Sequence, residues 1–292
     1  MLPGTHQTLL IQGLASPRLS PVGNTGIGPG FSEVDSTGAA AEFIQYLDAA
    51  RLIGQIAQGK QWSFQQLRLA AGQSVLDVGC GTGDDVAALA AVVGPGGRAV
   101  GLDSSEAMIS EAVRRHGQAP SVSFVPGDAQ RLPFDPATFD ACRAERTLQH
   151  VGDPDRAVGE MARVLRPGGR VTLIEPDWEG LLIEGSDPTL SGAIWRNRLE
   201  GFRQPRVGRR LRALLTQHGF VEITLDAAVG LITDFDLAER NFEFANAAKD
   251  AVKAGIVSEQ DTLRWLDELR QANRDGRFLC SALSFRAAGQ KP

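Results

Sequence analysis

The chain of 292 residues carries 30 basic and 35 acidic side chains, a formal net charge of -5 at pH 7, and 42% of its residues are hydrophobic. It can bury a substantial core, but it has no overall positive field to hold a nucleic acid. Its three cysteines lie far apart, which excludes a disulfide framework and a structural zinc site, and no apolar run approaches the roughly 20 residues that span a bilayer. We expect a cytoplasmic protein without metal, nucleic acid or membrane as a partner; a homo-oligomer is compatible with these features.

The N-terminal region divides into two parts. Residues 1–37 are rich in Gly, Pro, Ser and Thr without a sustained period, which predicts a flexible leader; the alternative is a segment that folds over the active site or a partner subunit. Helical spacing of apolar residues begins at Ala39, with Phe43 and Tyr46 on one face. Residues 38–70 are therefore predicted to form an N-terminal helical cap.

Strand-like segments alternate with helical stretches through the rest of the chain. The strand-like segments are Ser74–Val78, Ala99–Leu102, Val122–Val125, Phe139–Ala144, Val171–Ile174, Val221–Leu225 and Phe278–Ala287. This alternation predicts an α/β fold with a doubly wound, mostly parallel sheet and crossover helices on both faces.

The expected domain organisation follows from these elements. The ranges are a core at residues 71–233 with a lid segment at 177–206, a helical cap insertion at 234–277, and the last strand of the core at 278–292. Within the insertion, Asp236 with Glu239 and Ser258 with Asp261 are read as capping boxes that start two helices.

A glycine-rich turn follows the first strand. Gly79, Gly81 and Gly83 stand at alternate positions before an apolar helix, so the backbone can approach a ligand closely and the helix offers free N–H groups. About 20 residues on, Asp103 ends the second strand, where a carboxylate can accept both hydroxyls of a ribose. The spacing is GxGxG and differs from the dinucleotide GxGxxG, which disfavours an NAD-dependent oxidoreductase.

Five stations in order resemble the motifs of one enzyme family. Val75 to Asp84 resembles motif I of the class I S-adenosylmethionine (SAM) dependent methyltransferases. The four further stations are Gly101–Ser105, Gly127–Phe134, Phe139–His150 and Leu165–Gly169. The chain is most similar to the ubiquinone- and menaquinone-type C-methyltransferases and related natural-product methyltransferases. The resemblance implies a Rossmann-like, seven-stranded sheet with an antiparallel last strand, SAM as cofactor and S-adenosylhomocysteine as product.

The resemblance also implies which residues meet the cofactor. They are Asp77, Gly79, Cys80, Gly81, Gly83, Asp103, Ser104, Met108, Gly127, Asp128, Ala129, Glu145 and Arg146. Asp103 is expected to hold the ribose, and Asp128 the adenine unless it only forms an Asx turn. Asp77 either holds the turn through its N–H groups or contacts the methionine part of SAM. Met108 either lies against the adenine or belongs to the core.

Glu145 and Arg146 depart from the small or apolar residues that the family has at these positions. Arg146 could pair with the SAM carboxylate or a substrate acid, or form a structural network with Glu145. His150 is either a general base or a hydrogen-bonded structural histidine, and Glu145 is a second catalytic candidate. The candidate substrate-binding residues are Tyr46, His150, Trp178 and Phe235.

The expected reaction is transfer of the SAM methyl group to a C, O or N atom of a small, largely apolar or aromatic metabolite. The alternative is a SAM-binding enzyme of cyclase type that transfers no methyl group. A macromolecule methyltransferase is disfavoured, because neither an Asn-Pro-Pro-aromatic signature nor a basic domain is present.

Overall fold

The computed structural model describes residues 27–51 and 54–292. Its strands are β1 Ser74–Val78, β2 Arg98–Asp103, β3 Val122–Pro126, β4 Phe139–Glu145, β5 Leu165–Glu184, β6 Val221–Ile232 and β7 Leu279–Gln290. They form one seven-stranded sheet in the order β3-β2-β1-β4-β5-β7-β6. Neighbouring strands from β3 to β5 are parallel, and β7 lies antiparallel to β5 and β6. The fold predicted from the sequence is confirmed.

The helices divide into three groups along the chain. The N-terminal helices are α1 Ile27–Gly30, α2 Val34–Thr37, α3 Ala40–Ala50 and α4 Gly54–Leu67, with a 3₁₀ turn at Phe31–Glu33. The core helices are α5 Asp84–Val93, α6 Glu106–His116, α7 Pro154–Val164, α8 Pro188–Leu199 and α9 Leu211–Gln217, with a 3₁₀ turn at Val207–Arg210. The insertion holds α10 Phe235–Phe242, α11 Phe244–Lys253 and α12 Glu259–Arg274. None of these described helices combines the length and the apolar character that crossing a membrane requires.

The central strands are buried on both faces, as expected for a parallel sheet covered by helices. Val75, Leu76 and Val78 of β1 have no exposed surface. One core lies between the sheet and α7 and α9, and another lies between the sheet and α5. This packing fixes the carboxyl ends of β1, β2 and β4 side by side, which is where doubly wound folds bind ligands.

Strand β5 is much longer than its sequence indicates. The apolar run predicts a strand over Val171–Ile174, but β5 continues through Pro176 to Glu184. Strand β4 ends at Glu145, opposite Ile174, so the rest of β5 has no neighbour on that side and tolerates a proline. A register shift between Asp177 and Leu182 absorbs the irregular stretch.

The predicted flexible leader is wrong for residues 27–37, which form helical turns against the core. The Phe31 ring lies 4.9 Å from Phe43. The Asp35 carboxylate accepts hydrogen bonds from the hydroxyl of Ser105 and from the N–H of Glu106, both at the start of α6. These contacts are not visible as periodicity because the turns are only one helical turn long. Residues 1–26 lie outside the described residues.

The insertion forms a third hydrophobic core with α8 and the far ends of β5 and β7. Trp265 and Phe244 are fully buried within it. Ser258 caps α12 as predicted, accepting the N–H of Asp261. The predicted start of α10 is wrong, because Asp234 is the cap and accepts the N–H of Leu237. An aspartate two residues earlier suits the same cap, so the sequence pattern alone does not separate the two.

Candidate functional site

A cavity of about 510 Å³ opens at the carboxyl ends of the parallel strands, between the N-terminal helices and the cap. It collects all of the predicted cofactor residues except Gly83. Those that line it are Asp77, Gly79, Cys80, Gly81, Asp103, Ser104, Met108, Gly127, Asp128, Ala129, Glu145 and Arg146. The chain therefore brings together, from four strand ends, residues that the sequence holds up to 70 positions apart.

The glycine turn has little room for side chains. Gly79 has φ +75°, and a Cβ built on it would lie 2.2 Å from Oγ1 of Thr147. Gly83 also has a positive φ and begins α5, but a Cβ there would meet the ring of Phe124 at 2.6 Å. Gly83 thus serves helix packing and is not among the residues that line the cavity, so its contact with the cofactor stays a prediction.

Asp103 is placed to accept ribose hydroxyls. One of its oxygens accepts the N–H of Gly81 at 2.9 Å, and the other accepts the N–H of Ser105 at 3.0 Å. Burial raises the pKa of this carboxyl, and the two N–H groups oppose that rise. A carboxylate has about four acceptor positions, more than these backbone N–H groups use.

The adenine end keeps both interpretations of its residues. Asp128 lines the cavity, and its Oδ1 also accepts the N–H of Gln130 at 2.8 Å, as an Asx turn would. Met108 is only 1% exposed, yet it also borders the cavity. The structure is therefore compatible with both alternatives for each residue: a cofactor contact or an Asx turn for Asp128, and a cofactor contact or core packing for Met108.

A buried charge network that the sequence analysis did not single out lies beneath the glycine turn. Its centre is Arg143 on β4, which donates to Asp77 at 2.8 Å and to the hydroxyl of Ser63 at 3.0 Å. Arg143 also pairs with Glu145, and it lies 3.0 Å from Asp85. An arginine between Cys142 and Ala144, in the buried stretch of β4, is the signal that could have revealed it.

The network changes the interpretation of Asp77 and Asp85. Within the described residues, Asp77 accepts from Arg143 and from no N–H group of the turn, so the turn-holding role predicted for it is wrong. Burial alone would raise the pKa of Asp85, but Arg143 and Lys60 hold it below its ordinary value. Charges of both signs therefore border the cavity where the zwitterionic methionine part of the expected cofactor could bind.

Arg146 adopts a left-handed backbone conformation with φ +54°, and its N–H donates to the carbonyl of Ile174 at 2.8 Å. Nε of Arg146 forms a long ion pair with Oε1 of Glu145 at 3.9 Å, and Glu145 also pairs with Arg143, so these side chains do form the structural network given as one alternative. The buried Nε of Arg146 has no hydrogen-bond partner among the described residues.

His150 borders the cavity with its ring 5.6 Å from that of Phe31. Burial and the positive charges of Arg146 and Arg203 lower its pKa to about 3. The imidazole is therefore neutral at pH 7 and a weak base, which does not favour a general base role. A loss of rate across the ordinary pH range of histidine titration is therefore not expected from this residue.

The predicted substrate residues separate into two groups. Tyr46, His150 and Trp178 all line the cavity. Phe235 does not, because its ring is buried in the cap, 5.6 Å from Phe278. The assignment of Phe235 to substrate is corrected: an aromatic residue at the start of a helix satisfies core packing equally well.

Glu175 holds the loop that carries Arg146 and His150. Its carboxylate accepts the N–H groups of Thr147 at 2.8 Å and Leu148 at 2.7 Å, and a third from Gln149 at 3.3 Å. Burial nevertheless raises its pKa to about 8, against an ordinary value of 4.5. The protonated form therefore dominates at neutral pH in the folded protein.

This raised pKa predicts a pH dependence of stability. Between pH 4.5 and 8 the folded chain keeps a proton on Glu175 that the unfolded chain has released, so stability falls as pH rises. Relative to Glu175→Gln, which cannot titrate, the wild-type free energy of unfolding should fall by about 4 kcal/mol from roughly pH 5 to 9. Urea unfolding across that range measures it, with the exposed Glu222→Gln as control. Parallel pH curves for wild type and Glu175→Gln would show that the carboxyl is ionised throughout.

Comparison with known proteins agrees with this geometry. A family profile described as a methyltransferase domain matches residues 75–169. The chain is 36% identical over 232 residues to an uncharacterized 37.1 kDa protein in transposon Tn4556 of Streptomyces fradiae, covering 79% of this chain and 67% of that protein.

One curated enzyme and one solved structure extend the comparison. The demethylmenaquinone methyltransferase of Shouchella clausii is 37% identical over 133 residues, which are 44% of this chain and 57% of that enzyme. A solved structure from Bacillus halodurans, provisionally assigned as a methyltransferase, superposes with a TM-score of 0.58 at 19% identity, covering 80% of this chain and 99% of that one. The chain thus spans little more than half of the quinone enzyme's length, and the structural likeness shows a shared fold.

Proposed function

Because this chain belongs to the class I SAM-dependent methyltransferases, we propose that it transfers the methyl group to a C, O or N atom of a small, largely apolar or aromatic metabolite. The observation that carries the proposal is the composition of the cavity beyond the charged end. There, aromatic side chains from three separate parts of the chain, Tyr46, Trp178 and Phe242, border the same space as the glycine turn.

The aromatic wall is held in place by its neighbours. The indole N–H of Trp178 donates to Oε1 of Gln149 at 2.6 Å. Its ring lies 5.2 Å from that of Phe202 and 6.2 Å from that of Phe242. Rigid aromatic faces of this kind suit a flat or apolar substrate, which loses water contact when it enters.

Positioning accounts for the chemistry that this site supports. SAM, when bound, supplies the reactive sulfonium methyl group. The protein has to align an acceptor atom with that methyl group at about 3 Å and to exclude competing water. The turns that carry Phe31 and α3 with Tyr46 cover the cavity, while His150 serves as a neutral wall. We propose no general base among the described residues.

Product formation tests the proposal. With a panel of apolar and aromatic acceptors, the wild type should release S-adenosylhomocysteine together with a product heavier by one methyl group. Asp103→Ala should weaken SAM binding by about 1 to 3 kcal/mol, roughly 5- to 150-fold, because the ribose hydroxyls lose their acceptor. Calorimetry gives the affinity and mass spectrometry the product.

Two results would contradict this expectation. Conversion of a substrate without release of S-adenosylhomocysteine would indicate a cyclase-type enzyme that uses SAM without transferring its methyl group. Unchanged SAM affinity in Asp103→Ala would remove Asp103 from the cofactor site.

A further inference from the structure

The part of the cavity that lies over β6 and β7 has a floor of small side chains. Ala282 and Ser284 alternate along β7, so they point to the same face of the sheet. Opposite them on β6 lie Gly230, which pairs with Ala282, and Ala228, which pairs with Ser284. All four border the cavity. Small residues on two neighbouring strands leave a recess above the sheet.

Arg286 is two positions beyond Ser284 on β7 and lies at the end of this recess. It is the one charged residue that the described parts of β5, β6 and β7 contribute to the cavity lining. The residue is 7% exposed, so its guanidinium is withdrawn from water. Helix α4 lies close to the guanidinium: a Cβ built on Gly59 would lie 3.8 Å from the Nε of Arg286.

The guanidinium of Arg286 is poorly compensated. Its Nε is buried and has no hydrogen-bond partner among the described residues. Its Nη1 reaches Asp226 only at 3.5 Å, and the Asp226 side chain is 46% exposed. A buried charge with five donors and one long contact is costly, and an anion in the recess would remove most of that cost.

We propose that Arg286 binds an anionic group of the acceptor substrate, which makes that substrate an organic acid with an apolar or aromatic body. The inference rests on the proposed function, since it places the substrate in the recess beside the cofactor site. A carboxylate fits the two parallel N–H donors of a guanidinium edge. The hydroxyl of Ser284, which donates to the carbonyl of Ala228 at 3.5 Å, lies on the same floor.

The carboxylate of SAM is the other source of such an anion, and strand order separates the two. The predicted cofactor residues follow β1, β2, β3 and β4. Arg286 lies in the same row as Glu145, with Ile174 of β5 between them. Two strand spacings place its backbone about 10 Å beyond the end of β4. The cations that border the cavity on the side of the predicted cofactor residues include Lys60, Arg143 and Arg146.

Binding of matched acids and amides tests the proposal. The probes are benzoate, 2-naphthoate and decanoate with their amides, titrated by calorimetry into protein saturated with S-adenosylhomocysteine. At least one acid should bind wild type about 10- to 100-fold more tightly than its amide. Arg286→Met should abolish that preference, and Arg286→Lys should keep part of it. Both variants should bind S-adenosylhomocysteine within about twofold of wild type, which also shows that they fold.

The control is Arg203→Met, which removes another arginine of the cavity lining. It should leave the preference for the acid intact. No acid preferred over its amide would overturn the inference, and amides that bind well would then still support an apolar substrate. Failure of all six probes would count against both proposals. If the preference for the acid were lost in Arg203→Met and kept in Arg286→Met, the anion site would lie elsewhere in the cavity. If both Arg286 variants lost S-adenosylhomocysteine binding, Arg286 would belong to the cofactor site.

Discussion

Arg143→Met should lower the free energy of unfolding by about 3 to 5 kcal/mol, the usual cost of removing one partner from a buried charge network. The side chain is 2% exposed, and its loss would leave Asp77 and Glu145 without their cation. Methionine fills much of the same volume, so the effect reports charge and not a void. Affinity for S-adenosylhomocysteine should fall as well, because Asp77 and Glu145 border the cavity.

Urea unfolding measures this effect, and Arg166→Met provides the matched control. Arg166 pairs with Asp140 at 2.7 Å, but its side chain is 47% exposed. Exposed pairs contribute about 0 to 1 kcal/mol, so the control should change stability little. If the two variants had equal free energies of unfolding, the network around Arg143 would contribute no more to stability than an exposed ion pair does.

Gly79→Ala should destabilise the protein and impair cofactor binding together. The new Cβ would lie 2.2 Å from Oγ1 and 2.5 Å from Cγ2 of Thr147, so Thr147 must move. Thr147 donates its hydroxyl to the carbonyl of Val78, and its N–H is held by Glu175. We expect about 1 to 3 kcal/mol from the clash and about 1 to 2 kcal/mol from a non-glycine residue at positive φ.

Gly72→Ala separates these two contributions. Gly72 has φ +85°, yet nothing lies within 4 Å of a Cβ built on it. It should therefore show only the cost of the left-handed backbone, with S-adenosylhomocysteine binding unchanged. Thermal unfolding and calorimetry on both variants check this. If both variants lost the same amount of stability, Thr147 would be able to move without a cost in free energy, and the turn would tolerate a methyl group.

Local patterns predicted β1, β2 and β4 well, because each is a short, largely buried run and a helix follows it. Strand β1 has the predicted limits, and β2 and β4 differ by one residue or two. The long β5 could not be predicted, since Pro176 and Gly180 are typical strand breakers. Their acceptance depends on β4 ending opposite Ile174, which is a property of the sheet and not of the segment.

The glycine turn, Asp103, Tyr46 and Trp178, which all border the cavity, were predictable from the sequence, whereas Arg143 and Arg286 were not. Asp103 and the glycine turn belong to a spacing that the sequence displays directly. Arg143 and Arg286 are each the one basic residue of their strand. Their importance appears only from the strand register, which places Arg143 opposite Asp77 and Arg286 opposite Ile174. Pairings between distant segments carry this information, and no local period encodes them.

The extension of β5, β6 and β7 limits how the enclosure can open. Backbone pairing continues from the core into the cap, as far as Glu184 with Leu279 and Ile232 with Cys280. A hinge swing of the cap would have to break two hydrogen-bonded ladders at once. The N-terminal helices meet the core through contacts such as Asp35 with Ser105, which can part and re-form singly. Movement of these helices would therefore break fewer paired backbone contacts than a swing of the cap.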